Sequence, residues 1–152
     1  MATSSKEKKA ATTGKGAEAP KSLFPPELRL ERPTTRSEGR KAGRAYVLFE
    51  FGEMFSGDCM IGNGSRLVFH DNGTGTYDAR LRSTDDDDTW HLRFAVFRAE
   101  GPVVVEIPGP GPTWYWTKDM PDDDTWYDWH IDFRYDAGTF RLLHHASAYG
   151  YC

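Results

Sequence analysis

From residue 45 to residue 152, apolar and polar side chains alternate with a period of two. Such alternation is typical of strands that bury one face and expose the other. Gly, Pro, Asn and Asp separate the apolar runs, as in the hairpin signal Asp71-Asn72-Gly73. No stretch shows helical periodicity. The pattern predicts eight strands, at 45–51, 66–70, 76–82, 89–98, 103–107, 114–117, 125–135 and 139–146.

Eight short antiparallel strands with hairpin-length links predict an all-β fold, an up-and-down barrel of about eight strands. A β-sandwich is the alternative. In the strand at 125–135 we expect the aromatic positions to face inward, because burying the intervening aspartates unpaired would be costly. By the same reasoning, we expect one face of the last predicted strand to point inward, namely Phe140, Leu142, His144 and Ala146.

The predicted interior is rich in aromatic side chains. An aromatic-lined cavity with a few polar groups fits a flat or polycyclic small molecule, whereas the alternative is a filled core with satisfied hydroxyls. Tyr77, Tyr127 and His144 are the candidate catalytic residues, because a hydroxyl or an imidazole can polarise a carbonyl. The candidate ligand-binding residues are Phe49, Phe51, Trp90, Phe94, Trp116, Trp129 and Phe133.

Three function classes follow from this pattern. The first is a barrel that binds an apolar or polyketide-like molecule, or a cofactor-free cyclase that holds such a substrate in a reactive conformer. The second is a non-catalytic structural or interaction protein. The third is a carbohydrate-binding module in which exposed rings stack on sugars, with Trp114, Tyr115, Trp116 and Trp126 as candidates. No Walker loop, nucleophile elbow or zinc signature occurs, so we expect no cofactor.

Charge divides the chain into two segments. Residues 1–44 carry 11 Lys and Arg against 5 Glu, a net charge of +6, and are predicted to be a disordered tail. Residues 45–152 carry 8 Lys and Arg against 18 Asp and Glu, a net charge of −10, and form the predicted domain. That sign disfavours nucleic acid as a partner of the domain.

The basic tail itself admits several roles. It is typical of an arm for nucleic acid or a membrane surface, of a segment that lies on its own acidic domain, or of a solubilising leader. It also allows a homodimer or a protein partner held through the tail.

Two acidic repeats precede long strands, one at Asp85–Trp90 and one at Asp122–Trp126. Clustered carboxylates suit Ca²⁺, and the candidate ligands are Asp85, Asp87, Asp122 and Asp124. The spacing does not match an EF-hand, so we expect solvated turns and no metal. If the strands that follow run in the same direction, both loops lie at one end of the fold.

Targeting signals and cysteine usage indicate the cellular compartment of the protein. The N-terminus has no apolar region like that of a signal peptide, and no apolar run approaches the ~18 residues of a spanning helix. We therefore predict a cytoplasmic chain without a membrane span. Cys59 and Cys152 are then expected to be reduced thiols, with a disulfide between them as the alternative, and neither has the spacing of a zinc site.

Three motifs, Gly57-Asp58-Cys59, Asp71–Thr76 and Ser83–Trp90, resemble a family of small uncharacterised bacterial proteins over roughly residues 45–146. In architecture the predicted meander is similar to calycin-type and allene-oxide-cyclase-like barrels. That similarity implies a ligand-holding barrel, since some such proteins carry lipophilic ligands and some fold a polyene and close its rings. No motif maps residue by residue onto their sites, so the resemblance implies no site residue.

Overall fold

The computed structural model describes residues 24–30, 34–100, 102–107 and 115–152. This part of the chain is all-β, with eleven strands and two short 3₁₀ helices, Pro26–Leu28 and Ala137–Leu142. The strands are β1 (Thr34–Lys41), β2 (Arg44–Phe51), β3 (Met54–Ser56), β4 (Cys59–Ile61), β5 (Ser65–His70), β6 (Thr74–Ser83), β7 (Asp88–Phe97), β8 (Val103–Ile107), β9 (Trp116–Met120), β10 (Tyr127–Arg134) and β11 (His145–Tyr151).

The strands form two antiparallel sheets. The seven-stranded sheet runs in the order β1-β2-β5-β6-β4-β3, and β10 pairs with the other edge of β6. In the four-stranded sheet, β7 is central, with β11 on one edge and β8 and β9 along the other. No ring of strands closes within the described ranges, so the predicted closed barrel is not what the structure shows.

Aromatic side chains from the two sheets meet in the core. The ring centroids of Tyr77 in β6 and Phe94 in β7 are 4.6 Å apart, and those of Phe51 in β2 and Phe94 are 6.0 Å apart. Trp90 is fully buried beside them. Burying each such ring contributes roughly 1.5–3 kcal/mol, so this aromatic layer stabilises the contact between the sheets.

The predicted position of the last strand, residues 139–146, is wrong. A 3₁₀ helix occupies Ala137–Leu142, where the Asp136 side chain accepts a hydrogen bond from the Gly138 amide over 2.9 Å. The chain re-enters a sheet at β11, and the inward alternation predicted through residue 144 is lost. Leu142 and His144 are therefore exposed, and Leu143 is buried in their place.

Three strands have no counterpart among the predicted ones. β1 lies in the predicted tail and pairs with β2 along its whole length, through a turn at Ala42-Gly43 with positive φ at both residues. Folded structure thus begins before the predicted boundary at residue 44. β1 is a polar edge strand without apolar alternation, and β3 and β4 are only three residues long. Residues 1–23, the rest of that tail with its predicted partners, lie outside the described residues.

The segment before β1 packs on the outer face of the four-stranded sheet. Phe24 is buried there, and the Leu30 amide donates to the Ala148 carbonyl over 2.8 Å. The Arg93 guanidinium lies between two rings, 3.9 Å from the Phe24 centroid and 4.3 Å from the Tyr115 centroid. This segment is therefore part of the packed fold.

Cys59 and Cys152 form a disulfide, with Cα atoms 6.2 Å apart. The prediction of two reduced thiols is therefore wrong for this structure. The reason is tertiary, because packing of the two sheets brings β4 beside the residue that follows β11. In the described ranges, no helix is long and apolar enough to cross a membrane.

Candidate functional site

The aromatic residues predicted to line a cavity all belong to the core between the sheets. They contact one another and their neighbours closely. For example, the Tyr77 and Trp129 ring centroids are 6.3 Å apart, and those of Phe69 and Phe133 are 5.4 Å apart. Six of the seven predicted ligand-binding residues therefore lie in the packed interior, namely Phe49, Phe51, Trp90, Phe94, Trp129 and Phe133, and Trp116 is partly buried and packs against them.

Several polar atoms are buried in this core. Within the described residues, the indole N–H groups of Trp90 and Trp116 have no hydrogen-bond partner, and the hydroxyls of Tyr77 and Ser65 lie next to each other. Burial raises the pKa of Tyr77 far above its usual value, and the neighbouring Ser65 hydroxyl opposes this only in part. The Tyr77 hydroxyl is therefore a neutral group at ordinary pH and not a base.

The three predicted catalytic residues are not brought together. Tyr77 lies in the core, whereas the Tyr127 hydroxyl accepts a hydrogen bond from the Asp122 amide over 3.0 Å in an acidic loop. His144 is exposed before β11, with its Nδ1 3.2 Å from Nδ1 of His145. Each side chain has a different environment, and no shared catalytic cluster results.

The two acidic loops lie side by side, as expected from two strands that start at the same end. The Asp87 amide donates to the Pro121 carbonyl over 3.1 Å, and the Asp124 amide donates to the Ser83 carbonyl over 2.7 Å. Asp87 and Asp124 both have positive φ, 58° and 48°. Such backbone is tolerated by Asp in turns.

The predicted calcium ligands do not converge. In the described part of the chain, no three of the carboxylates of Asp85, Asp87, Asp122 and Asp124 come together as a group of metal ligands. The pKa of Asp85 is raised, first because of its hydrogen bond with Asp58 and then because of the charge of that carboxylate. The side chains of Asp85, Asp87, Asp122 and Asp124 are exposed.

An open groove of about 800 Å³ lies on the outer face of the seven-stranded sheet, over β6 and β10. Trp126 forms part of its wall and is 39% exposed. The guanidinium carbons of Arg80 and Arg82 lie 5.1 and 5.0 Å from the Trp126 ring centroid. A β-carbon at Gly62 would stand 3.5 Å from the indole, an ordinary contact distance, so this ring lies against the β4–β5 turn.

Charged side chains on neighbouring strands are paired across the groove. His130 Nδ1 lies 2.5 Å from Asp78, and His130 Nε2 lies 3.0 Å from Asp132. The hydrogen bond with Asp78, followed by that with Asp132, raises the pKa of His130. Arg80 and Asp128 form a further ion pair at 3.6 Å. These contacts hold charged groups in defined positions on an open surface.

Strand pairing explains why the sequence did not predict this groove. Alternation in β10 correctly turns Trp129 inward and His130 outward. The facing residues of β6 become known only from the ladder, which places Asp128 opposite Arg80 and His130 opposite Asp78. Trp126 was a candidate for sugar stacking, but Arg80, Arg82 and His130 carried no local signal that linked them to it.

A family model described as a family of unknown function (DUF6294) matches residues 66–152, which hold nearly all of β5 and the whole of β6 to β11. Comparison with curated proteins gave no match, and neither did comparison with solved structures. The finer likeness to calycin-type or allene-oxide-cyclase-like barrels has no support in these findings. The match spans more than half of the chain, and the chain therefore belongs to this family of unknown function.

Proposed function

We propose that the protein is a β-sandwich that binds carbohydrate, without catalysis, in the groove on its seven-stranded sheet. The observation that carries this proposal is the exposed indole of Trp126 at the wall of an open groove lined by hydrogen-bonding side chains. Sugars present one apolar face and many hydroxyls, so a ring beside fixed polar groups matches both features.

Trp126 supplies the apolar surface. An indole that remains 39% exposed gains favourable burial when a ligand covers it. Contacts with Gly62 and with the guanidiniums of Arg80 and Arg82 restrict the Trp126 side chain before any ligand arrives. Less conformational freedom is then lost on binding, which favours affinity in a shallow site.

The polar groups of the groove suit hydroxyls more than phosphates. Glu53, Asp78 and Asp128 offset the positive charges of Arg80, Arg82 and protonated His130, so the lining is close to neutral. Tight binding of a polyanion depends on uncompensated positive charge. Carboxylates accept and guanidiniums donate, so neighbouring hydroxyls of one sugar find both kinds of partner.

A glycan array probed with the full chain tests the proposal, and titration calorimetry then measures the affinity for the glycans that bind. We expect Trp126→Ala to weaken binding by about tenfold or more, which corresponds to about 1.4 kcal/mol or more. Tyr151→Ala is the matched control, because Tyr151 is a similarly exposed ring, 38%, on the other sheet. An array without a bound glycan, or equal affinities of both variants, would overturn the proposal.

The buried polar atoms without partners favour a second candidate. The indole N–H groups of Trp90 and Trp116 would gain partners from a small molecule held between the sheets. This is the predicted binder of an apolar or polyketide-like ligand, with or without ring closure. Native mass spectrometry of the protein from its own host tests it, since a bound molecule adds mass that is lost on denaturation. A bare polypeptide mass together with ordered water at these atoms would contradict it.

A further inference from the structure

Three potential metal ligands meet where the two sheets are joined. The Sγ atoms of Cys59 and Cys152 and a carboxylate oxygen of Asp88 all lie within 4.8 Å of one another. Cys59 is buried, and the other two residues are half-buried. The ligands come from three separate places in the chain: β4, the start of β7 and the residue after β11. This separation explains why no zinc spacing is visible in the sequence.

One sulfur–oxygen distance in this cluster matches tetrahedral coordination. With metal–sulfur and metal–oxygen bonds of about 2.3 and 2.0 Å, a sulfur and an oxygen ligand stand about 3.5 Å apart. Cys59 Sγ lies 3.5 Å from Asp88 Oδ2. Ser83 Oγ donates to the same carboxylate oxygen over 2.5 Å and thereby orients it. Such support from a second residue is common for metal-binding side chains.

We propose that the reduced protein binds one zinc-type divalent cation through Cys59, Cys152 and Asp88, and that the disulfide is the oxidised, metal-free form of this site. Two thiolates and a carboxylate are a soft and anionic ligand set, which favours Zn²⁺ over Ca²⁺ or Mg²⁺. An open groove of about 260 Å³ has Cys59 in its lining. The nearby Asp58 and Asp85 add negative charge that attracts a cation.

The conversion between the two forms balances in electrons and protons. A phosphine reductant supplies two electrons, breaks the S–S bond and takes an oxygen atom from water, whose two protons complete the two thiols. On metal binding, both thiols release their protons and the sulfurs bind as thiolates. The two sulfurs must separate to about 3.8 Å to occupy two tetrahedral positions. The 6.2 Å between the Cα atoms allows this through side-chain rotation.

Cobalt titration of the full chain tests the site, because Co²⁺ in a tetrahedral thiolate site absorbs strongly. In phosphine-reduced protein we expect a thiolate-to-cobalt charge-transfer band that saturates at one equivalent and disappears when Zn²⁺ is added. The disulfide form should give no band. Asp88→Asn should weaken Co²⁺ binding by about tenfold or more. Asp86→Asn, a neighbouring change in the same loop, is the matched control and should bind like the natural protein.

Folding controls distinguish a loss of metal binding from a loss of folding. Cys152→Ser cannot form the disulfide and loses a ligand, so it should also lose the band. If the reduced, metal-free chain is unfolded by circular dichroism, recovery of the strand signal with one equivalent of Zn²⁺ supports the site, and no recovery overturns it. A folded, reduced protein without the band, or unchanged affinity in both Asp88→Asn and Cys152→Ser, would also overturn it.

Discussion

Gly75 lies directly opposite Phe133 in the ladder between β6 and β10, and the Phe133 ring covers the place where a β-carbon of residue 75 would stand. Because Gly75 has no side chain, this ring reaches across β6 to Phe69, with centroids 5.4 Å apart. Such pairing of a glycine with an aromatic residue lets the Phe133 ring pack across β6 in the core.

Gly75→Ala should therefore destabilise the protein by roughly 1–3 kcal/mol, the usual cost of forcing extra volume into a packed site. Urea denaturation followed by circular dichroism measures this change. Thr76→Ala on the same strand is the control and should cost less, because Thr76 is only partly buried. Adding Phe133→Leu should recover part of the loss, but not all, because the Val68 carbonyl also lies close to the new β-carbon. Equal stabilities of the two alanine variants would contradict the packing described.

Loss of the disulfide should lower the free energy of unfolding. Cys59 and Cys152 are 93 residues apart in sequence, and closing so long a loop restricts the unfolded chain strongly. We expect Cys152→Ser to cost roughly 2–5 kcal/mol under oxidising conditions. The natural chain in a reductant, with metal chelated, should show a similar loss. A variant as stable as the oxidised natural chain would mean that this bond contributes nothing to stability.

A chain that begins at residue 45 should not fold as the chain from residue 24 does. It lacks β1, so the β2 edge with Tyr46 and Leu48 is left without its partner. It also lacks Phe24, which covers Arg93. Size-exclusion chromatography and near-ultraviolet circular dichroism should show aggregation or loss of tertiary signal in the shorter chain.

Phe24→Ala in the full chain separates the effect of losing Phe24 from the effect of losing β1. Removing this buried ring should cost roughly 3–5 kcal/mol, the range for a phenylalanine in a core. A chain from residue 45 that gives the same spectra and elution volume as the chain from residue 24 would contradict the view that folded structure begins before the predicted boundary.

The charge of His130 should depend on Asp78. Hydrogen bonds to Asp78 and Asp132 raise the pKa of His130, so the folded state holds this proton more tightly than the unfolded chain. The resulting stabilisation is fully present below the ordinary histidine pKa of about 6.5 and is lost as the pH rises through the raised value. The side chain is 54% exposed, so the effect on the melting temperature should be small.

Nuclear magnetic resonance titration of the His130 ring protons measures this shift directly. Asp78→Asn should lower the pKa of His130, because it removes the first of its two acidic partners. Asp71→Asn is a control outside this pair of contacts and should leave the pKa unchanged. The same titration curve in the natural chain and in Asp78→Asn would contradict the assigned contacts.

Most strands and their buried faces could be predicted because the signal is local. In β10 the alternation puts Trp129, Ile131 and Phe133 in the core and leaves the intervening residues exposed. The turn at Asp71-Asn72-Gly73 also follows from its own residues, and Gly73 has the expected positive φ of 90°. A burial pattern with a period of two depends only on neighbours along the chain.

The groove could be predicted only in part. Trp126 stands out as a tryptophan beside an acidic loop, and it is indeed exposed. Its guanidinium neighbours come from β6, more than forty residues earlier, and meet it only through the pairing of β6 with β10. The error at His144 has a different cause, because six residues of 3₁₀ helix broke the alternation from which its inward position was inferred.

The residues themselves therefore specify an all-β chain, its main strands and the apolar face of each, because side-chain parity and turn chemistry act over a few neighbouring residues. The division into two sheets, the polar strand β1 and the meeting of Cys59 with Cys152 depend on contacts between distant residues. A strand with the same alternation can pair with many partners, and which partner it takes follows from packing of the whole core.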